Sequence, residues 1–112
     1  MSFYDKQTTR VKIDEDHTIT IQRLSYGQRQ RCISVAAIAK VDKNRQETMT
    51  IDPGRLSIER LVYGIIAWEG PGFEGRVVNR ENIEDLPPEV LDPVTAALSN
   101  FDDGPSESQK KA

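Results

Sequence analysis

The hydrophobic pattern changes period between residues 22 and 25, and that change commits the chain to a mixed fold. Before it, apolar residues alternate: Val11-Lys12-Ile13, then Thr18-Ile19-Thr20-Ile21-Gln22. In an extended chain every second side chain shares a face, and β-branched residues fit that pleated surface. The polar stretch Asp14-Glu15-Asp16-His17 between the runs is hairpin length, so the pattern predicts an N-terminal β-hairpin. After it, Ser25-Tyr26-Gly27-Gln28 has the form of a capping box, in which Ser25 and Gln28 each satisfy a backbone donor of the other. Cys32, Val35, Ala36 and Ala39 then fall on one helical stripe.

Further along, residues 40–50 are charged around Asp42 to Glu47 and read as a solvated loop. Asp52-Pro53 opens the strongest predicted helix, a cap followed by proline where its missing N–H costs nothing. Ile58, Leu61, Val62, Ile65 and Ile66 continue it at helical spacing, and Trp68 closes it before Gly70-Pro71-Gly72. Gly64 inside that helix costs about 1 kcal/mol against alanine, which points to a close backbone approach. Arg76-Val77-Val78 suggests a short extended piece. Asn79 suits the cap of a short helix carrying Ile83 and Leu86. Val90, Val94, Ala97, Leu98 and Phe101 keep helical spacing to the end of the patterned region. Pro93 interrupts that stripe, predicting a kink or a fresh start with Asp92 as cap.

These elements give an α+β fold: an N-terminal hairpin followed by three to four helices in one small domain. Its expected limits are a flexible lead-in over 1–10, a globular domain over 11–101 and a disordered tail over 102–112. A chain of 112 residues with 37% apolar and 29% charged side chains can close one modest core.

Chemistry is sparse. His17 is the single histidine and lies among Asp14, Glu15 and Asp16, but adjacent residues in one turn rarely give the converging ligands that a metal needs. Cys32 is the single cysteine and sits on an apolar stripe, where thiols are usually buried hydrophobes. A Cys32–His17 pair is the one thiol-based nucleophile available. Ser25 is accounted for by its cap, and Glu81, Glu84 and Asp85 read as a solvated helix face. Gly70, Gly72 and Gly75 follow a predicted helix, so they read as helix-stop and turn residues rather than a phosphate loop. The expectation is therefore no catalytic residue, no metal and no cofactor. Net charge is −3 from 15 basic and 18 acidic residues, mixed along the chain, so no basic face favours nucleic acid. The longest apolar run, Leu61 to Trp68, is too short to span a bilayer, and Met1 to Lys6 has no signal-peptide character. These points predict an intracellular protein that acts by binding. The stripe Ile58, Leu61, Val62 and Ile65 is assigned to the core. Tyr63, Trp68, Phe73, Leu91, Leu98 and Phe101 are the candidate partner-binding residues, as larger apolar anchors that a helical groove could present.

Three segments, in order, resemble one known family. They are the helix entry Leu24-Ser25-Tyr26-Gly27-Gln28-Arg29-Gln30, the segment Ala67-Trp68-Glu69-Gly70-Pro71-Gly72, and Val78-Asn79-Arg80-Glu81-Asn82-Ile83-Glu84-Asp85-Leu86-Pro87-Pro88-Glu89-Val90. Together they resemble the tail assembly chaperones of long-tailed bacteriophages, over about residues 11–101. Pro93 departs from the family, whose last helix usually runs uninterrupted. The resemblance implies a protein of the host cytoplasm that binds and solubilises the long helical tape measure protein while the tail tube polymerises, and that is absent from the virion. It also brings in the tail tube protein and a second copy of the chain as partners, with no role for nucleic acid or membrane. The family often makes a longer product by ribosomal frameshifting, and Lys110-Lys111 is compatible with the adenine run that this uses. Two other readings fit the size: a virion component such as a minor tail or head–tail connector protein, and a small regulatory protein-binding domain.

Overall fold

A computed structural model of the chain describes the backbone at residues 3–41, 44–45 and 47–111, and the side chains at 3–39, 44–45 and 48–101. The predicted N-terminal hairpin is present as β1 (Thr8–Lys12) and β2 (Thr18–Gln22), paired antiparallel with Val11 opposite Ile19. β1 begins at Thr8, inside the stretch expected to be a loose lead-in, because its partner strand runs on to Gln22 and pairs Thr8 there.

The second predicted element also forms. Helix α1 (Tyr26–Ala36) starts at Ser25, whose hydroxyl accepts the Gln28 N–H while the Gln28 side chain accepts the Ser25 N–H. Only part of its expected stripe is buried: Cys32 and Ala36 lie inside, Val35 is 47% exposed, and Ala39 falls beyond the helix end.

Two expectations are corrected in the middle of the chain. Residues 40–50 are not simply a loop, since β3 (Ala37–Val41) pairs antiparallel with β4 (Glu47–Ile51). Thr48-Met49-Thr50-Ile51 alternates like the first hairpin, a signal overshadowed by the charged residues before it. The second correction concerns the strongest helix. α2 (Pro53–Gly64) begins as expected, with the Asp52 carboxylate accepting from the Gly54 and Arg55 N–H groups. It ends at Gly64, and Ile65–Glu69 forms strand β5 instead of a further helical turn.

β5 completes a three-stranded sheet in the order β1-β2-β5. Ile21 pairs with Ile65 and Ile19 with Trp68, so two steps along β2 face three steps of β5. Ile66 is the extra residue of this bulge and is exposed. The bulge turns both Ile65 and Trp68 inward although they are three apart, a spacing indistinguishable from a helical stripe. The stiff pair Ile65-Ile66 after Gly64 favours the extended form.

A 3-10 turn at Pro71–Phe73 follows, and Glu74 and Gly75, both at positive φ, reverse the chain. Arg76 to Val78 is irregular rather than a strand. α3 (Arg80–Glu84) is capped by the Asn79 carboxamide, as its sequence predicts, and buries Ile83, whereas Leu86 lies beyond its end. α4 (Pro88–Lys111) passes through Pro93 with no fresh start at Asp92. Pro93 is on the exposed side, so the Glu89 carbonyl that it leaves without an N–H is also on the water side. The helical trace continues into the stretch expected to be a disordered tail; the side chains of 102–112 lie outside the described ones.

The core is where β2, α2 and α4 meet. Ile19 and Ile21 are fully buried, together with Leu61, Ile65, Ile83, Leu91, Val94 and Leu98. Ile58 is only partly buried and stands apart from this cluster. A Cβ at Gly64 would lie 2.5 Å from Leu98 Cδ2, so the glycine lets α2 and α4 approach closely. Glu59 is a charged residue in this buried layer; Arg80 donates to both of its carboxylate oxygens, at 2.7 and 2.9 Å, tying α3 to α2. The hydrogen bond to this carboxylate raises the Arg80 pKa beyond its already high value, so the guanidinium stays charged.

Candidate partner-binding surface

The six candidate anchors divide into two groups. Leu91, Leu98 and Phe73 are core side chains, and Leu98 is committed to Gly64, so a partner could reach it only by opening the α2–α4 contact. Tyr63, Trp68 and Phe101 are partly buried against the core and present an edge to solvent. The structure brings Trp68 and Phe73 together and leaves Tyr63 and Phe101 elsewhere.

Trp68 and Phe73 stack with ring centroids 4.8 Å apart and 2° between planes. The Trp68 indole N–H donates to the Arg76 carbonyl at 2.8 Å, so its polar edge is satisfied by the turn that carries Phe73. His17 comes from the first hairpin to meet this pair, its ring edge-on to Phe73 at 5.6 Å. Its Nδ1 is 2.8 Å from Asp14 Oδ1 and its Nε2 accepts the Gly72 N–H at 2.8 Å. Both ring nitrogens are thus engaged by groups other than Cys32, which is buried in α1. The turn is thus solvated at Asp14, Glu15 and Asp16 but anchored through His17. The glycines expected to stop a helix follow a strand and make room for this ring: a Cβ at Gly70 or Gly72 would lie 2.5 or 2.6 Å from His17 atoms.

The cleft beside this stack, lined by Trp68, Phe73, Arg76, Asp85 and Leu86, measures about 200 Å³. That is below the usual size of a small-molecule site, roughly 300–1,000 Å³. A wider depression of about 640 Å³ lies between Thr8 and Thr9 of the edge strand β1 and Ala97, Asn100 and Phe101 of α4. It is open and suits a polypeptide segment better than a metabolite. Among the described residues no group of three His, Cys, Asp or Glu side chains is placed to hold a metal ion. No helix among them is long and apolar enough to cross a membrane.

The sequence reading missed one exposed apolar feature. The β3–β4 ribbon emerges between α1 and α2, held at its base by the Asp52 N–H donating to the Ala36 carbonyl at 2.9 Å. Its register sets Ala37 opposite Ile51 and Ala39 opposite Met49, so these four share one face. Met49 is 66% and Ile51 44% exposed, and among the described residues neither strand packs substantially on the body. Ile33 and Val35 of α1, just before the ribbon, are exposed as well. The alternation of Thr48 to Ile51 was the signal that could have found this surface.

No protein-family model matches the chain, and no curated protein or solved structure is significantly similar to it.

Proposed function

We propose that this chain is a bacteriophage tail assembly chaperone. It binds the tape measure protein in the host cytoplasm, keeps it soluble while the tail tube polymerises, and leaves before the virion is complete. It works by binding alone, with no catalytic step and no cofactor. The ordered resemblance of three segments motivates this reading, and the observation that carries it is the unpacked β3–β4 ribbon with Met49 and Ile51 exposed. A holdase needs apolar surface that a client can reach and that a better-fitting partner can take over. The ribbon supplies it on an arm whose backbone edges can pair with an extended segment, and the groove beside β1 and Phe101 offers a second contact. Each contact is small, so many copies along one long client would act by avidity.

The test is co-expression with the long helical protein encoded downstream, followed by affinity capture and a solubility assay. The chaperone reading expects a soluble client co-eluting with this chain in several-fold molar excess, and purified virions free of it. An insoluble client, together with this chain in washed particles, would reassign it as a structural tail component.

A further inference from the structure

The tip of the first hairpin is held to the rest of the molecule through one imidazole. Asp14 accepts the backbone N–H groups of Asp16 and His17, each at 2.8 Å, and the same oxygen is 2.8 Å from His17 Nδ1. On the other side of the ring, the Gly72 N–H points at Nε2. A backbone amide can only donate, so Nε2 must carry a lone pair and the single ring proton must be on Nδ1, donated to Asp14. His17 is therefore held as the neutral Nδ1–H tautomer. Its side chain is 23% exposed, which leaves protons from solvent a route to it.

We propose that His17 is a proton-operated latch between the β1–β2 tip and the Gly70–Phe73 turn, and that the Phe73–Trp68 stack follows its state. Protonation at Nε2 replaces the acceptor with a second N–H facing the Gly72 N–H. That contact must open, whereas the Nδ1–H to Asp14 bond survives and gains an ionic component. The ring then stays with the hairpin tip, and the turn behind Gly72 is released. Because His17 fills the space beside Gly70 and Gly72 and touches Phe73 edge-on, its withdrawal frees the face of the Phe73–Trp68 pair.

Besides Asp14, the charged side chains on the surrounding elements are Lys12 ending β1, Glu15 and Asp16 on the tip, Glu69 ending β5, and Glu74 and Arg76 beyond the turn. Glu69 is paired with Arg10, and Glu74 with Arg76, so their charges are partly offset. The latch is independent of the identity of any client.

The chain has one histidine and one tryptophan, so the signal from each end of the device is unambiguous. Long-range proton–nitrogen NMR on the 15N-enriched full chain reads the His17 tautomer and its titration. Trp68 emission between pH 8 and pH 5 reads the stack. The latch expects the Nδ1–H tautomer at pH 8 and a shift in Trp68 emission with the same midpoint as the imidazole titration. His17→Gln, whose amide oxygen can still accept from Gly72, should keep the high-pH emission and lose the transition. An Nε2–H tautomer at pH 8 overturns the proposal in the unaltered protein, whatever the variants do. So does flat Trp68 emission while His17 titrates, or an unchanged transition in His17→Gln.

Discussion

Both hairpins of this chain pair five-residue strands in antiparallel register, β1 with β2 and β3 with β4, and the second strand of each alternates apolar with polar residues. In the first, Ile19 and Ile21 are fully buried beneath α2 and α4, and β5 adds a third strand. In the second, the corresponding face exposes Met49 and Ile51, and among the described residues no third strand is added. The first tip is also pinned at His17 through Gly72. Strand pairing is therefore common to both, and the difference is what lies against each. A two-stranded ribbon is marginal on its own in water, so surface left open on it is more naturally read as reserved for another molecule than as a contribution to stability.

The comparison breaks most visibly at its buried end. Ile21→Ala should lower unfolding stability by about 2–4 kcal/mol, through lost burial and a cavity, as read by denaturant unfolding. The matched change Ile51→Ala should cost less than about 0.5 kcal/mol. Comparable losses at both sites would show that the ribbon packs on the body after all.

The anchoring of the tip gives a smaller effect. Gly72→Ala puts a methyl group into the His17 ring, and the expected loss is about 1–3 kcal/mol, since the ring must leave its seat. Thermal melts compared with Gly75→Ala would separate this clash from backbone strain, because a Cβ at Gly75 meets nothing while its φ of 70° disfavours any side chain.

Acid dependence sharpens the contrast further. Asp14 has a lowered pKa, first because its carboxylate is hydrogen-bonded to the His17 side chain and next because it accepts the Asp16 N–H. A carboxyl whose folded pKa lies below its unfolded value contributes stability that is present above the unfolded value and fades as pH falls through the folded one. Asp14→Asn should therefore lower stability above about pH 4, the ordinary carboxyl range, and converge on the parent in stronger acid, flattening the profile between. A variant as acid-sensitive as the parent would remove Asp14 from the tip's anchoring.

The smallest effect on stability should come with the largest effect on binding. Met49→Ser with Ile51→Ser is expected to leave the melting temperature within about 2 °C, since neither side chain is in the core. The same pair should abolish client solubilisation in the co-expression assay. Full client capture by that double variant would move the binding surface to the β1–α4 groove, where Phe101→Ala becomes the decisive change.

Much of the architecture could be read from local pattern. The Ser25–Gln28 box, the Asp52-Pro53 start and the Asn79 cap each need only neighbours within four residues, and all three form as their sequences predict. Ile19 with Ile21, and Val94 with Leu98, announce buried faces by spacing alone. Where the reading missed, two periods coincided or a long-range partner intervened. A bulged strand turns residues three apart inward, so Ile65 and Trp68 imitate a helix. Glu59 is buried only because Arg80, 21 residues later, reaches it. The candidate anchors were chosen by size and apolarity, which do not distinguish Leu98 in the core from Phe101 at a groove.

What the sequence determined by itself is the set of segments able to form each helix and the first hairpin, because capping, turn chemistry and side-chain period are short-range properties. Tertiary structure alone decided that β5 closes the sheet on β2, that Gly70 and Gly72 seat a histidine 55 residues from the amide it binds, and that one hairpin is buried while the other stays open. Those outcomes depend on which surfaces meet after collapse. The free energy of burying a face resides in its partner as much as in the face, and no local pattern contains the partner.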